Sequence, residues 1–108
     1  MAFALHHRVY VVKLDEAVWN DNSFRERNPN RDLSKPCVYV GQTGLTPEQR
    51  FANHKIGHKH SYYVQRYGVE LLYDLFADIE PMTWAGSITK ERELAAALSE
   101  QGYGVWTN

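Results

Sequence analysis

CVYVGQTGLTPEQRFANHK, residues 37 to 55, is the stretch that decides the fold, because it encodes a strand, a turn and a capped helix in succession. Residues 37 to 41 are mostly β-branched or aromatic, which predicts a buried strand. Residues 42 to 44 end in a glycine that allows a sharp bend, and they predict a turn. The chain is therefore expected to pass directly from a β-strand into an α-helix.

The helix start is the strongest local signal in this stretch. Thr46 is placed to cap the helix, Pro47 suits the first helical position, and Gln49 completes a capping box. The helix is predicted to run to about Lys55 and to end near Gly57.

The first third of the chain predicts one further strand and one further helix. Residues 8 to 14, RVYVVKL, have the composition of a buried strand. Residues 16 to 36 predict a short helix, followed by a loop over residues 31 to 36. The side chains expected to be buried by this helix are Val18, Trp19 and Phe24.

The second half of the chain continues the alternation. Residues 58 to 68 predict a short helix or a turn. Residues 69 to 79 predict a strand through residues 71 to 73, with a helix as the alternative. Residues 103 to 106 predict a last short strand.

Residues 87 to 102 form the clearest predicted helix. Ser87 or Thr89 can cap its start, and Gly102 lies where a C-cap glycine belongs. Its apolar stripe is formed by Ile88, Leu94 and Leu98. With this helix, residues 1 to 108 predict a single α/β (α+β) domain in which a small mixed β-sheet is flanked by helices.

Composition limits the classes of function. The chain has 12 basic and 13 acidic residues and a net charge of -1, which argues against a strongly basic, non-specific nucleic-acid binder. Its single cysteine, Cys37, excludes an internal disulfide. The sequence has no long apolar run and no signal-peptide pattern, so a cytoplasmic protein without a membrane segment is expected.

Four polar side chains are predicted to lie close together. Arg50 and His54 share a helix face because they are four residues apart. Tyr10 and Tyr39 each lie between valines in the two predicted strands, and a buried tyrosine hydroxyl needs a partner. Arg50, His54 or a phosphate could supply it. The alternative is that both tyrosines are ordinary strand residues and that the helix pair is a solvated face.

The order of the motifs resembles that of the GIY-YIG nuclease family. The triplet RVY at residues 8 to 10 stands for GIY, and YVG at residues 39 to 41 stands for YIG. An arginine and a histidine follow on the next helix, and a glutamate lies on the ERELAAAL helix before GYGVW. The resemblance extends from Arg8 to Gly104, and Arg8 departs from it by replacing the usual glycine.

This resemblance implies a metal-dependent endonuclease that hydrolyses DNA phosphodiester bonds, with its site on the exposed face of the sheet. Glu91 in KERE would hold one Mg²⁺ or Mn²⁺ ion, with Glu93 as the alternative. Contacts would be made to the DNA phosphate backbone, and a protein partner or a dimer could provide targeting. The implied catalytic residues are Tyr10, Tyr39, Arg50, His54 and Glu91.

The family's chemistry also implies a role for each of these side chains. Arg50 would bind the phosphate, and Tyr10 would act as the general base. Tyr39 would form a hydrogen bond to the phosphate or to Tyr10. His54 would relay a proton or orient the phosphate. A different class of function stays open, namely a catalytically weak module with this fold that binds nucleic acid or a protein partner.

Two other clusters invite interpretation. His54, His58 and His60 could bind zinc, but a surface histidine group is favoured because no cysteine accompanies them. A second set could form a basic-aromatic surface for DNA; its members are Lys55, His58, Lys59, His60, Tyr62, Tyr63, Arg66 and Tyr67. The alternative, given equal weight, is that Tyr63 and Tyr67 are core or half-buried residues. The three tryptophans, Trp19, Trp84 and Trp106, are expected in the core.

Overall fold

The computed structural model describes residues 5 to 57 and 61 to 107. These residues form four strands and four α-helices in the predicted order. The strands are β1 (Arg8–Leu14), β2 (Cys37–Thr43), β3 (Gly68–Leu71) and β4 (Gly104–Thr107). The α-helices are α1 (Asn22–Arg27), α2 (Pro47–Lys55), α3 (Tyr62–Tyr67) and α4 (Trp84–Glu100). Two 3₁₀ turns accompany them, Glu16–Asn20 before α1 and Tyr73–Leu75 after β3.

The four strands form one mixed sheet within the described residues. Their order is β3-β1-β2-β4, with β1 antiparallel to both of its neighbours and β4 parallel to β2. The register sets Tyr10 opposite Gly41 and Val12 opposite Tyr39. The predicted α+β class, with a small mixed sheet and flanking helices, is confirmed.

Helices cover both faces of the sheet. On one face Tyr10 contacts His54 of α2, and Trp106 of β4 packs against Tyr63 of α3 with ring centroids 4.4 Å apart. On the other face α4 lies against the sheet and joins Gln42 through a hydrogen bond from Ser87.

The expectation of a site on an exposed sheet face is wrong. Tyr10 and Tyr39 are only 1% and 2% exposed. Both side chains project toward the layer formed by α2 and α3, whose packing removes them from solvent.

The capping signals of α2 are confirmed. The Thr46 hydroxyl accepts the backbone N–H of Gln49, and the Gln49 side chain accepts the N–H of Thr46. The helix ends at Lys55, and Gly57 follows with a φ of 84°, a backbone conformation that glycine adopts without a Cβ clash.

Helix α4 begins one turn earlier than predicted, at Trp84. Its N-cap is Thr83, whose hydroxyl accepts the N–H of Gly86. Ser87, one of the predicted caps, lies inside the helix and donates its hydroxyl to the Trp84 carbonyl. The Gly102 prediction is confirmed, with a φ of 97° just after the helix.

Two strands differ from the prediction in length. Strand β2 continues through Thr43 because Gln42 and Thr43 remain paired with Val9 and Arg8 of β1. Strand β3 ends at Leu71, before the predicted segment is complete, and the chain enters a 3₁₀ turn. None of the helices within the described residues has the length and apolar character needed to cross a membrane.

The outer edge of β4 is occupied by the side chain of Asn28. Its Oδ1 accepts the Val105 N–H at 2.8 Å, and its Nδ2 donates to the Val105 carbonyl at 3.0 Å and to the Phe24 carbonyl at 2.9 Å. The amide therefore pairs with β4 as a neighbouring strand would, in a position only 5% exposed.

Replacing Asn28 with alanine should lower the free energy of unfolding by about 2–4 kcal/mol, because buried backbone groups of Val105 lose their partners. Urea unfolding measures this change. The control is Asn30→Ala, at an exposed loop position two residues away. Equal stabilities for the two variants would contradict a structural role for the Asn28 amide.

Candidate active site

Four of the five predicted site residues line one cavity of about 230 Å³. They come from four different elements, with Tyr10 on β1, Tyr39 on β2, Arg50 on α2 and Glu91 on α4. The remaining residues that line the cavity are Gln42, Ile88 and Arg92.

The cavity lies where the sheet becomes incomplete. The pairing of β4 with β2 ends at Thr107 opposite Val40. Residues 41 to 43 of β2 extend past this point, and no strand of the described residues pairs with them on that side. Side chains from the two helical layers therefore meet around the end of the sheet.

Gly41 leaves the space that the two tyrosines occupy. A Cβ atom at this position would lie 2.6 Å from Tyr10 Oη and 2.8 Å from Tyr39 Cε1. Both distances are far inside van der Waals contact, so any other residue would displace one of the rings. The glycine of the YVG triplet is therefore explained by the aromatic ring of the neighbouring strand.

His54 lies behind Tyr10 and does not line the cavity. Its Nε2 is 2.8 Å from Tyr10 Oη, and its Nδ1 accepts the Ser61 backbone N–H at 2.8 Å. Because a backbone N–H can only donate, Nδ1 carries no proton, and the proton of the ring is on Nε2. His54 is fully buried and donates to Tyr10.

This geometry excludes His54 from the zinc and surface-histidine interpretations. Both ring nitrogens are engaged within the protein, and the side chain has no exposed area. The other two histidines of that cluster, His58 and His60, lie outside the described residues.

The two tyrosine hydroxyls are in surroundings that disfavour the phenolate. Burial raises the pKa of Tyr10 strongly, Tyr39 adds to this effect, and Arg50 opposes it through its charge and a hydrogen bond. Burial, followed by the charge of Glu91, raises the pKa of Tyr39 to about 12, again opposed by Arg50. Both side chains are therefore phenols at neutral pH in the free protein.

Glu91 is the glutamate that reaches the cavity. It is 8% exposed, and its Oε1 accepts the hydroxyl hydrogen of Thr107 at 2.8 Å. Burial raises the pKa of its carboxyl, while Thr107 and Arg92 oppose the rise. Glu93, the alternative, is exposed and does not line the cavity.

Thr107 is a site residue that sequence reasoning missed. It lies in the last strand beside β2, and its hydroxyl holds one carboxylate oxygen of Glu91. The sequence predicted a strand over residues 103 to 106, next to Thr107. That prediction gave no indication that the Thr107 hydroxyl would contact Glu91 on α4.

The donor set fits Mg²⁺ or Mn²⁺ better than zinc. Within the described residues, no group of three or more His, Cys, Asp or Glu side chains could hold a metal ion. Glu91 supplies a single carboxylate, and magnesium commonly binds through one or two carboxylates with waters and substrate phosphates. Its raised pKa reflects a poorly solvated carboxylate, which a nearby cation would stabilise.

The predicted basic-aromatic surface is only partly present. Tyr63 is 7% exposed and donates its hydroxyl to Asp21, so it belongs to the packed interior. Lys55 donates to the carbonyls of Gln65 and Gly68. The exposed members are Lys55, Tyr62 and Arg66, and Tyr67 is half-buried. The members His58, Lys59 and His60 lie outside the described residues.

Replacing Gly41 with alanine should lower the free energy of unfolding by about 1–3 kcal/mol, because the new methyl group overlaps the Tyr10 ring. The same variant should weaken the bond from His54 to Tyr10, which the imidazole signals in ¹⁵N NMR report. Gly44→Ala is the matched control, since its nearest atom is the His7 Nε2 at 3.3 Å. Identical spectra for Gly41→Ala and wild type would contradict the packing.

Replacing Glu91 with glutamine should stabilise the fold at neutral pH. Because burial raises the pKa of Glu91, the folded state favours the protonated carboxyl and loses stability as the pH rises above 4.5, the usual value. We expect the variant to have a higher free energy of unfolding than wild type at pH 7.5 and to approach the wild-type value at pH 4.

Urea unfolding at both pH values measures the difference, with Glu93→Gln as the exposed control. The same pH response in both variants would show that the Glu91 carboxylate is not desolvated.

Comparisons of the chain with protein-family models, with curated proteins and with solved structures found no match. The resemblance to GIY-YIG nucleases therefore rests on the order of the sequence motifs and stays a prediction.

Proposed function

We propose that the protein is a metal-dependent endonuclease of the GIY-YIG type, which hydrolyses DNA phosphodiester bonds in the cavity between the two helical layers. The observation that carries the proposal is the convergence of Tyr10, Tyr39, Arg50 and Glu91 on that cavity from four elements. These residues were predicted from their spacing and from the order of the motifs, and their meeting in space supports the motif assignment.

The charges around the cavity suit a phosphate. Arg50 and Arg92 face it together with a single carboxylate, Glu91. A guanidinium binds a phosphate through two parallel hydrogen bonds and offsets charge as the transition state forms. By contrast, a larger cleft of about 480 Å³ beside β3 is lined by Glu70 and Asp74 and by no cationic residue of the described chain. That cleft would repel a phosphate.

Glu91 is the proposed metal-binding residue. Its carboxylate would hold a Mg²⁺ or Mn²⁺ ion, and such an ion would supply positive charge that stabilises the phosphate during cleavage. The hydrogen bond from Thr107 fixes one carboxylate oxygen and limits the rotation of the side chain. The low exposure of Glu91 reduces competition from water for the carboxylate.

Tyr10 is the proposed general base: once its hydroxyl has lost its own proton to solvent, the phenolate Oη would take the proton of the attacking water and return to the neutral phenol. Burial opposes formation of the phenolate in the free protein. Two donors next to Oη, the His54 Nε2–H and Arg50, favour it, as would additional positive charge in the loaded site. Tyr39 is assigned a hydrogen-bond role, because Tyr10 and Ser61 are both hydrogen-bonding neighbours.

His54 is assigned a positioning role in place of the proton relay or phosphate contact expected from the family. It is buried behind Tyr10 and does not line the cavity. Its Nδ1 is held by Ser61, so the ring has no second site to which a proton could pass. Its donation from Nε2 holds the Tyr10 hydroxyl in place.

The alternative is a catalytically weak module that binds nucleic acid or a protein partner. The burial of both tyrosines and the net charge of -1 favour it, since a nuclease acting alone gains most of its affinity from cationic residues. A protein partner or a second copy could deliver an active domain to DNA, so weak intrinsic affinity does not oppose the nuclease proposal.

Nicking of supercoiled plasmid with Mn²⁺ at low salt tests the proposal. Glu91→Gln and Arg50→Lys should each lower the cleavage rate by about 10²-fold or more. Glutamine lacks the negative charge that would hold the metal ion, and lysine keeps the positive charge but cannot bind the phosphate through two parallel hydrogen bonds. Glu93→Gln should cleave like wild type.

Undiminished cleavage by Glu91→Gln would remove Glu91 as the metal ligand. A folded wild-type protein that cuts neither plasmid nor branched DNA would favour the binding module.

A further inference from the structure

One exposed tryptophan is not explained by the core. Trp19 and Trp106 pack against Phe24, with ring centroids 6.3 Å and 6.2 Å away. Trp84 is instead 62% exposed at the first residue of α4, so the expectation that it lies in the core is wrong. Leaving an indole in water forfeits a large amount of apolar burial, which points to a binding role.

Trp84 is aligned with the candidate site along α4. It precedes Glu91 by seven residues, close to two turns at about 3.6 residues per turn, so the two side chains leave the same side of the helix. Ile88, which lines the cavity, lies between them on that side. The separation along the helix axis is about 10 Å.

The start of α4 is held at the end of the sheet where the cavity lies. His7, just before β1, exchanges two backbone hydrogen bonds with Met82, at 2.9 Å and 2.8 Å. Ser87 of α4 is bonded to Gln42, which lines the cavity. The position of Trp84 is therefore set by fixed contacts on both sides of it in the chain.

We propose that Trp84 stacks on an unpaired base of the strand whose phosphate is bound in the cavity; the inference rests on the proposed function. A distance of about 10 Å spans roughly three stacked nucleotides at about 3.4 Å each. Stacking on an indole requires a free base face, which a continuous duplex covers with the neighbouring base pairs. The substrate class is therefore DNA with a single-stranded segment beside the cut, such as a fork, a flap or a single strand.

Nucleic acid is favoured over a protein partner by what surrounds the tryptophan. Arg92, exposed and one turn beyond Ile88, lies on the same side of α4 and faces the cavity with Arg50. An aromatic face followed by cationic side chains is the arrangement that single-stranded DNA requires, with stacking for bases and positive charge for phosphates.

The test measures binding separately from cleavage. Glu91→Gln serves as the background, so that bound DNA stays intact, and quenching of tryptophan fluorescence reports binding to single-stranded, forked and duplex oligonucleotides. Adding Trp84→Ala should raise the Kd for single-stranded and forked DNA about 5- to 100-fold and leave the duplex Kd within about twofold. Since Trp84→Ala removes part of the signal, fluorescence anisotropy of labelled DNA gives the same constants.

Two further variants separate the loss of base stacking from an unspecific effect of losing an exposed aromatic side chain on DNA binding. Trp84→Phe should restore most of the affinity, because a phenyl ring still offers a face for stacking. Tyr73→Ala removes another exposed aromatic side chain, which does not line the cavity, and should bind like the background. Equal losses for single-stranded and duplex DNA, or no loss in Trp84→Ala, would overturn the inference.

Sedimentation of the same variants tests the protein-docking alternative. If Trp84→Ala abolishes self-association and leaves every DNA affinity unchanged, the exposed indole is a protein contact and the inference fails.

Failure of the inference and failure of the proposed function have different signatures. If wild-type protein cleaves plasmid and Trp84→Ala neither weakens binding nor changes the preference for forked DNA, only the stacking inference is lost. If Trp84→Ala raises the Kd for single-stranded and forked DNA as expected but wild-type protein cleaves no DNA, the stacking inference is supported and the nuclease proposal fails. Absence of binding to all three oligonucleotides overturns the stacking inference, and the plasmid-nicking assay then decides the nuclease proposal by itself.

Discussion

The packing of Tyr10 across Gly41 is the contact on which the candidate site depends. Antiparallel pairing of β1 with β2 sets the two residues opposite each other, and the missing side chain at Gly41 allows the phenol ring to lie there. From this position the hydroxyl reaches His54 of α2. The same pairing carries Tyr39 into contact with His54, with ring centroids 5.8 Å apart. The register of β1 against β2 therefore fixes the positions of both tyrosines and their contacts with His54 of α2.

Local signals predicted the elements well where a few neighbouring residues determine the structure. The capping box at Thr46 and Gln49 needs only three residues of sequence, and the structure contains it. The start of α4 was missed because Ser87 and Thr89 are equally good caps by residue type, and the choice of Thr83 depends on how the preceding chain pairs with His7. Such a choice is made by tertiary contacts, which local preferences do not include.

The site was predictable to the extent that it follows the motif order. Tyr10, Arg50 and Glu91 could be named from their spacing and their likeness to a known family, and the fold brings them to one cavity. The burial of His54 and the bond from Thr107 to Glu91 could not be named, because both depend on packing between distant segments. The removal of water from around Glu91 also results from packing between distant segments, and this burial is the main cause of the raised pKa of Glu91. A buried carboxylate at this position opposes folding stability at neutral pH, because burial favours its protonated form.

Asn28 has a consequence for how the protein behaves at high concentration. The outer edge of a sheet exposes backbone groups that can pair with a strand of another molecule, which is a common start of aggregation. The Asn28 amide occupies both backbone groups of Val105, in the middle of β4, and α1 packs beside this strand. The opposite edge is formed by β3, a strand of four residues whose Glu70 is exposed and places a charge there. Each edge thus has its own protection against intermolecular strand pairing, a side-chain amide on one side and short length with a charge on the other.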